Sequence, residues 1–194
     1  GSRVDVLIGS LEHAVAGVGG FCAGRKGLID HQRLAGAGYC FSASCPPAAC
    51  SAAIATVADL ATPSGAERAT RLRASTERLG EQLRALVACS SAPLELISSP
   101  ESFVQHLRWK GDARDAETRL LAVARACRDG CEGRSLQVQV CSPGVCDAEA
   151  AFAARTGAPP PPPPTLRLCA SAEHSPEDID AAVAILGRAL SAAS

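Results

Sequence analysis

Three short blocks decide how this chain folds: Gly19-Gly20-Phe21-Cys22-Ala23-Gly24, then Ile29-Asp30-His31-Gln32-Arg33-Leu34, then Gly38-Tyr39-Cys40-Phe41-Ser42-Ala43-Ser44, closing on Pro46-Pro47. The first block reads as a strand whose glycines permit close backbone approach. The second reads as a short helix, Leu28 to Leu34, which Gly36 and Gly38 terminate. Tyr39 to Ser42 carries aromatic residues before small ones and reads as another strand. Pro46-Pro47 then opens an alanine-rich helix through about Leu60, with proline in the first turn, where its missing N–H costs little. Upstream, Val4 to Ile8 is a short apolar run bounded by Gly9 and Ser10 and reads as a buried strand. The intervening Ser10 to Gly20 connection is glycine-bearing, as suits a tight loop near a ligand.

Downstream, Thr62-Pro63-Ser64-Gly65 is expected to break the alanine-rich helix. Leu72, Leu79, Leu83 and Leu86 recur at helical spacing among Arg and Glu, so residues from Ala66 to about Val87 form a long amphipathic helix expected to connect two lobes. After it come a strand near Phe103 to Trp109, a helix from about Asp115 to Cys127, strands at Leu136 to Cys141 and Leu166 to Ser171, and a closing helix from about Glu177 to Leu190. Ser175-Pro176-Glu177-Asp178 supplies that helix with a cap, a first-turn proline and acids against the dipole. This order implies a small, mostly antiparallel α+β lobe.

Composition excludes several functions. The net charge is −1 and the 19 basic residues are scattered, which argues against a nucleic-acid partner. The hydrophobic fraction of 47% rests on alanine, and no unbroken apolar run reaches the roughly 20 residues of a membrane span. With no Met anywhere, the chain reads as a fragment. Of the ten cysteines, Cys22, Cys40, Cys45, Cys50 and Cys169 lie in apolar or small-residue runs and are expected to be buried structural thiols. Cys127, Cys131, Cys141 and Cys146 lack tight zinc-site spacing, so no metal site is expected; a surface disulfide nearby remains compatible with them. Pro159 to Pro164 should form a stiff, exposed polyproline segment.

The three opening blocks closely resemble the first, non-catalytic subunits of eukaryotic serine palmitoyltransferases, within the α-oxoamine synthase family of pyridoxal-phosphate enzymes. Thr165-Leu166-Arg167-Leu168-Cys169-Ala170-Ser171-Ala172-Glu173-His174, followed by Ser175 to Asp180, is similar to the last strand and helix shared by that whole family. The middle, from about Thr62 to Pro164, matches only in its order of elements. The resemblance implies the C-terminal part of a fold-type-I large α/β domain in residues 1–62, a connecting helix in 63–92 and a small α+β domain in 93–194.

In active members of the family a Schiff-base lysine precedes the Gly-Gly pair, because covalent capture of the cofactor aldehyde needs a primary amine. Counting back from Gly19-Gly20, that position holds His13, and the chain's lysines, Lys26 and Lys110, lie elsewhere. No catalytic residue is therefore assigned. His13 is either a general acid or base or a polar residue filling a vacated place. The resemblance further implies that Ser42 and Ser44 bind the phosphate of pyridoxal phosphate held by a partner subunit, Ser44 having helix capping as its alternative role. Arg167 aligns with the arginine that binds the substrate carboxylate, or else is an inherited ion-pair residue. His31 is expected at an interface, while His106 and His174 carry no signal of their own beyond the terminal motif of His174.

The implied whole is a heterodimer with the catalytic second subunit. It would condense L-serine with palmitoyl-CoA to 3-ketodihydrosphingosine, the first step of sphingolipid synthesis, at the cytosolic face of the endoplasmic reticulum, membrane contact coming only through a segment outside this sequence. A self-sufficient α-oxoamine synthase and a regulatory pseudoenzyme paralogue are the competing expectations, the first opposed by the missing lysine.

Overall fold

The computed structural model describes residues 4–130, 134–141 and 162–193. The chain divides into two compact units, residues 1–67 and 68–194. In chain order the elements are β1 (Val6–Ser10), β2 (Gly20–Gly24), α1 (Lys26–Ala35), α2 (Ala37–Cys40), α3 (Pro47–Leu60), α4 (Pro63–Cys89), β3 (Leu94–Leu96), β4 (Val104–Trp109), α5 (Ala113–Asp129), β5 (Gln139–Cys141), β6 (Thr165–Cys169) and α6 (Pro176–Ala193).

The second unit holds the core. Its sheet runs β3-β4-β6-β5, with every neighbouring pair antiparallel. Alternation along β4 sends Gln105, Leu107 and Trp109 inward and leaves Val104, His106 and Arg108 half-buried on the other face, as a period of two requires. The inward face packs with Leu79 and Leu83 of α4, Leu120 and Val123 of α5, and Leu186 and Leu190 of α6. Leu72 and Leu86 flank this cluster, so the heptad-like stripe read from the sequence is the buried one. The ends of α5 and α6 are stapled as their sequences require. The Asp112 carboxylate accepts from the amides of Arg114 and Asp115 at 3.0 and 3.3 Å. Gly130 closes α5 at φ 65°, a left-handed conformation that glycine adopts without strain. At α6 the Ser175 amide donates to Asp178 at 3.0 Å and the Asp178 amide to Ser175 Oγ at 3.2 Å, a reciprocal cap. Between α4 and α6, Arg78 grips Asp180 through two hydrogen bonds of 2.7 and 2.6 Å, and Gln82 donates to the same carboxylate.

The first unit buries little. Its ribbon pairs Val6 with Gly24 through Ser10 with Gly20, antiparallel. Gly9 lies beneath the Phe21 ring, 2.5 Å from where a Cβ would stand, so a side chain there would displace the ring. Among the described residues, the buried apolar side chains of this unit are Leu11 and Ala53. Leu7 is 58% and Ile8 77% exposed, which corrects the buried strand expected at Val4 to Ile8. A two-stranded ribbon without a covering layer cannot bury both faces.

Other expectations are corrected as well. Tyr39 to Ser42 is not a strand. Its backbone closes a helical turn, with the Tyr39 and Cys40 amides donating to Gly36 O and the Phe41 amide to Ala37 O, because no strand lies alongside to engage the aromatic residues. The break expected at Thr62 to Gly65 is present, since α3 ends at Leu60, but Pro63-Ser64-Gly65 already forms the first turn of α4, which starts before the expected Ala66. The Gly65 amide donates to Thr62 Oγ1 at 3.2 Å, making Thr62 a capping residue and Pro63 a first-turn proline. The strand expected from Leu136 is paired only from Gln139, and the three-residue β3 is too short to announce itself. Cys22, Cys40 and Cys169 are exposed and Cys45 and Cys50 half-buried; among the described residues the buried thiol is Cys127, pushed by burial to a pKa of about 11. Cys131 and Cys146 lie outside the described residues, as do Pro159 to Pro161; of the remaining prolines, Pro162 and Pro163 are exposed but Pro164 is fully buried.

Two predictions follow from this uneven burial. Leu107 is 0% exposed, so Leu107→Ala should lower the stability of the second unit by about 2–5 kcal/mol in urea titration, whereas Leu7→Ala should change it by less than about 0.5 kcal/mol. Hydrogen bonds from Arg78 and then Gln82 hold Asp180 below the ordinary carboxylate range. A depressed folded pKa contributes stability above the unfolded value of about 3.9 and loses it as pH falls through the folded value. Asp180→Asn should therefore flatten the acid limb of the stability curve below about pH 4, measured by thermal melts across pH.

Candidate functional site

In the first unit, the loop joining β1 to β2 is a closed one. The Leu11 amide donates to Gly19 O at 3.0 Å, the Gly17 amide to Leu11 O at 2.6 Å and the Ala16 amide to His13 O at 3.1 Å. Ala16 takes φ 52° and Gly19 φ 87° to make these turns. With Leu11 turned inward, His13 is presented to solvent at the bend. A histidine there can donate, accept or exchange a proton, but it has no primary amine.

The Ser42 to Pro46 segment lies against the same loop. Cys45 Sγ is 3.7 Å from Val18 O, and a Cβ on Gly19 would stand 3.8 Å from that sulfur. The structure thus brings the segment carrying Ser42 and Ser44 beside the segment carrying His13. The two serines differ in availability. Ser42 Oγ donates to Gly38 O, whereas the exposed Ser44 has no side-chain partner among the described residues. Ser44 does not cap α3 either; Pro46 stands at the cap position and no side chain bonds the first-turn amides. The uncapped amides of Ala48 and Ala49 and a Ser44 hydroxyl just upstream make a donor set that suits an oxyanion.

The chain's lysines stand at other positions: Lys26 opens α1 and pairs with Asp30, and Lys110 follows β4 in the second unit. The Ser44 hydroxyl and the first-turn amides of α3 are donors that suit a phosphate oxygen. His31 is exposed on α1. Among the described residues, no group of His, Cys, Asp and Glu could hold a metal ion, and no helix is long and apolar enough to cross a membrane.

In the second unit, Arg167 occupies the half-buried face of β6, directly opposite His106 of β4 and Gln139 of β5. Its NH1 donates to Gln139 Oε1 at 3.0 Å, and among the described residues no carboxylate pairs with it. A concavity of about 400 Å³ opens beside it, lined by Gln137, Val138, Gln139 and Cys169. His106 Nδ1 lies 2.9 Å from Thr165 Oγ1; burial, then the Arg167 charge, lowers its pKa below the ordinary histidine value. His106 was invisible as a site residue in the sequence, because its place beside Arg167 depends on the pairing of strands 59 residues apart. His174 Nδ1 instead accepts the Ser171 amide at 3.2 Å, a turn-stabilising role.

Comparison with known proteins agrees with this architecture. Residues 3–186 match the family described as aminotransferase class I and II. The chain is 49% identical over 55 residues to long chain base biosynthesis protein 1 of Arabidopsis thaliana, a match covering 28% of this chain and 11% of that protein. It is 52% identical over 44 residues to serine palmitoyltransferase 1 of Dictyostelium discoideum, covering 23% of this chain and 9% of that one. These matches span about a tenth of the length of either relative. The fold superposes on that of Sphingomonas wittichii serine palmitoyltransferase with a TM-score of 0.72 at 21% identity, over 98% of this chain and 40% of the other. Family match and fold converge: the chain belongs to the aminotransferase class I and II family.

Proposed function

We propose that this chain acts as the non-catalytic first subunit of a serine palmitoyltransferase, supporting a catalytic second subunit that holds pyridoxal phosphate and joins L-serine to palmitoyl-CoA with release of CO2 and CoA. The observation that carries this reading is His13, an exposed imidazole on the closed β1–β2 loop where the family's active members have an amine. Bound pyridoxal phosphate supplies an electron sink for the carbanion chemistry of the condensation. This chain's contribution is electrostatic and positional. Ser44, with the uncapped α3 amides, donates to the partner-held cofactor's phosphate. Ser42 does so only if its proton leaves Gly38 O, since a hydroxyl has a single hydrogen to donate. Arg167 offers its guanidinium to a substrate carboxylate. We further place the complex at the endoplasmic reticulum membrane, facing the cytosol, on the likeness to first-subunit relatives.

Two outcomes test this. The chain alone, mixed with pyridoxal phosphate and treated with borohydride, should acquire no stoichiometric pyridoxyl group by mass spectrometry; a stoichiometric adduct on Lys26 or Lys110 would refute the non-catalytic reading. In the full subunit co-expressed with its catalytic partner, Ser44→Ala should weaken cofactor retention about ten- to hundredfold, the worth of a charge-assisted hydrogen bond of roughly 1.5–3 kcal/mol. Ser42→Ala should cost less, and Ser42→Phe should impair turnover through volume forced into the packed segment. Wild-type cofactor affinity in Ser44→Ala would remove this chain from the phosphate site.

A further inference from the structure

The row Gln139, Arg167, His106 crosses three strands on one face of the sheet, and it is more than a chance alignment of polar residues. Directly opposed residues in antiparallel strands hold their Cβ atoms about 4.5–5.5 Å apart, so Arg167 is flanked on one side by an amide and on the other by an imidazole. The amide takes one guanidinium N–H, which fixes the plane of the fork and leaves its other donors to an incoming anion. The imidazole is anchored through Nδ1 on the buried Thr165 hydroxyl, so Nε2 is the ring nitrogen left for a ligand. The same face carries Glu95 and Arg108, which pair with each other, and the thiols of Cys141 and Cys169. The Arg108 hydrogen bond and charge hold Glu95 below the ordinary carboxylate range, so it stays ionised throughout the titration range of a histidine. The helices lie against the opposite face, where their side chains form the apolar core.

We propose that His106 is a second carboxylate contact beside Arg167: Arg167, Gln139 and His106 form one clamp for the carboxylate of a small amino acid, and the clamp tightens as His106 gains a proton. This rests on the reading of Arg167 as a substrate contact and adds the residue that sets its strength. With His106 neutral, the carboxylate meets one guanidinium and one polar ring. With His106 protonated it meets two cations side by side. By linkage the bound carboxylate must raise the His106 pKa by the same factor that protonation raises affinity. Arg167 opposes that proton in the empty clamp, in agreement with the lowered His106 pKa.

The test is nuclear magnetic resonance of the labelled 194-residue chain, following the His106 ring and the Arg167 side chain while L-serine is added at pH 7.5 and at pH 5.5. The serine carboxylate remains ionised at both, its pKa lying near 3.5 or below. Affinity should be about two- to fivefold higher at pH 5.5, the range expected of a half-exposed charge pair, and serine should raise the His106 midpoint. His106→Gln and His106→Asn should bind serine with one affinity at both pH values, without the rise at pH 5.5. Arg167→Gln should abolish binding and raise the His106 midpoint in the absence of ligand. A pH-dependent rise that survives in both His106 variants, or a midpoint unmoved by Arg167→Gln, overturns the role of His106 while leaving Arg167 as a carboxylate contact. No binding of serine to the wild-type chain at either pH overturns both.

Discussion

The pairing of β4 with β6, Val104 against Cys169 through Arg108 against Thr165, is the constraint on which the second unit depends. Because the strands are antiparallel and their side chains alternate, a single register sends Leu107, Leu166 and Leu168 into the core and His106 and Arg167 to the opposite face. A slip of one residue would exchange the two sets. The hydrophobic core thereby positions the polar row: no side chain in the row has to bear the cost of ordering itself, since the leucines behind it fix the backbone.

The two units illustrate how differently burial can be distributed within one chain. Residues 68–194 gather leucines from three helices onto one sheet face. Residues 1–67 contain regular helices and a ribbon but expose Leu7, Ile8, Phe41, Ile54 and Val57. The local structure of the first unit is held instead by backbone hydrogen bonds in the closed loop, by glycines where strands approach, and by the contact of Cys45 with Val18 O.

At the candidate site an imidazole, His13, offers no primary amine for covalent capture of an aldehyde. Groups able to donate to an anion lie at other places in the chain: a hydroxyl and uncapped amides at the start of α3, and a guanidinium on β6. Such groups stabilise charge without forming covalent bonds.

The sequence alone determined much of this. The helical period of Leu72, Leu79, Leu83 and Leu86, the cap at Ser175, the proline at the start of α3 and the position of His13 ahead of Gly19-Gly20 are local properties, and local spacing was enough to read them. It also placed the chain near its family, because the glycine, histidine and serine blocks are contiguous. What only the tertiary structure decided depended on distant neighbours. The Tyr39 to Ser42 segment had the composition of a strand but no strand beside it, so it closed a turn on Gly36 instead. Of the cysteines in apolar runs, Cys22, Cys40 and Cys169 proved exposed and Cys45 and Cys50 half-buried, while Cys127 was buried, since burial follows the face of an element and not the character of its flanking residues. Ser42 and Ser44 read alike in sequence, yet one hydroxyl is engaged by a backbone carbonyl and the other is not. The partnership of His106 with Arg167 exists only once two strands 59 residues apart have chosen their register, and that choice is made by the leucines facing the core.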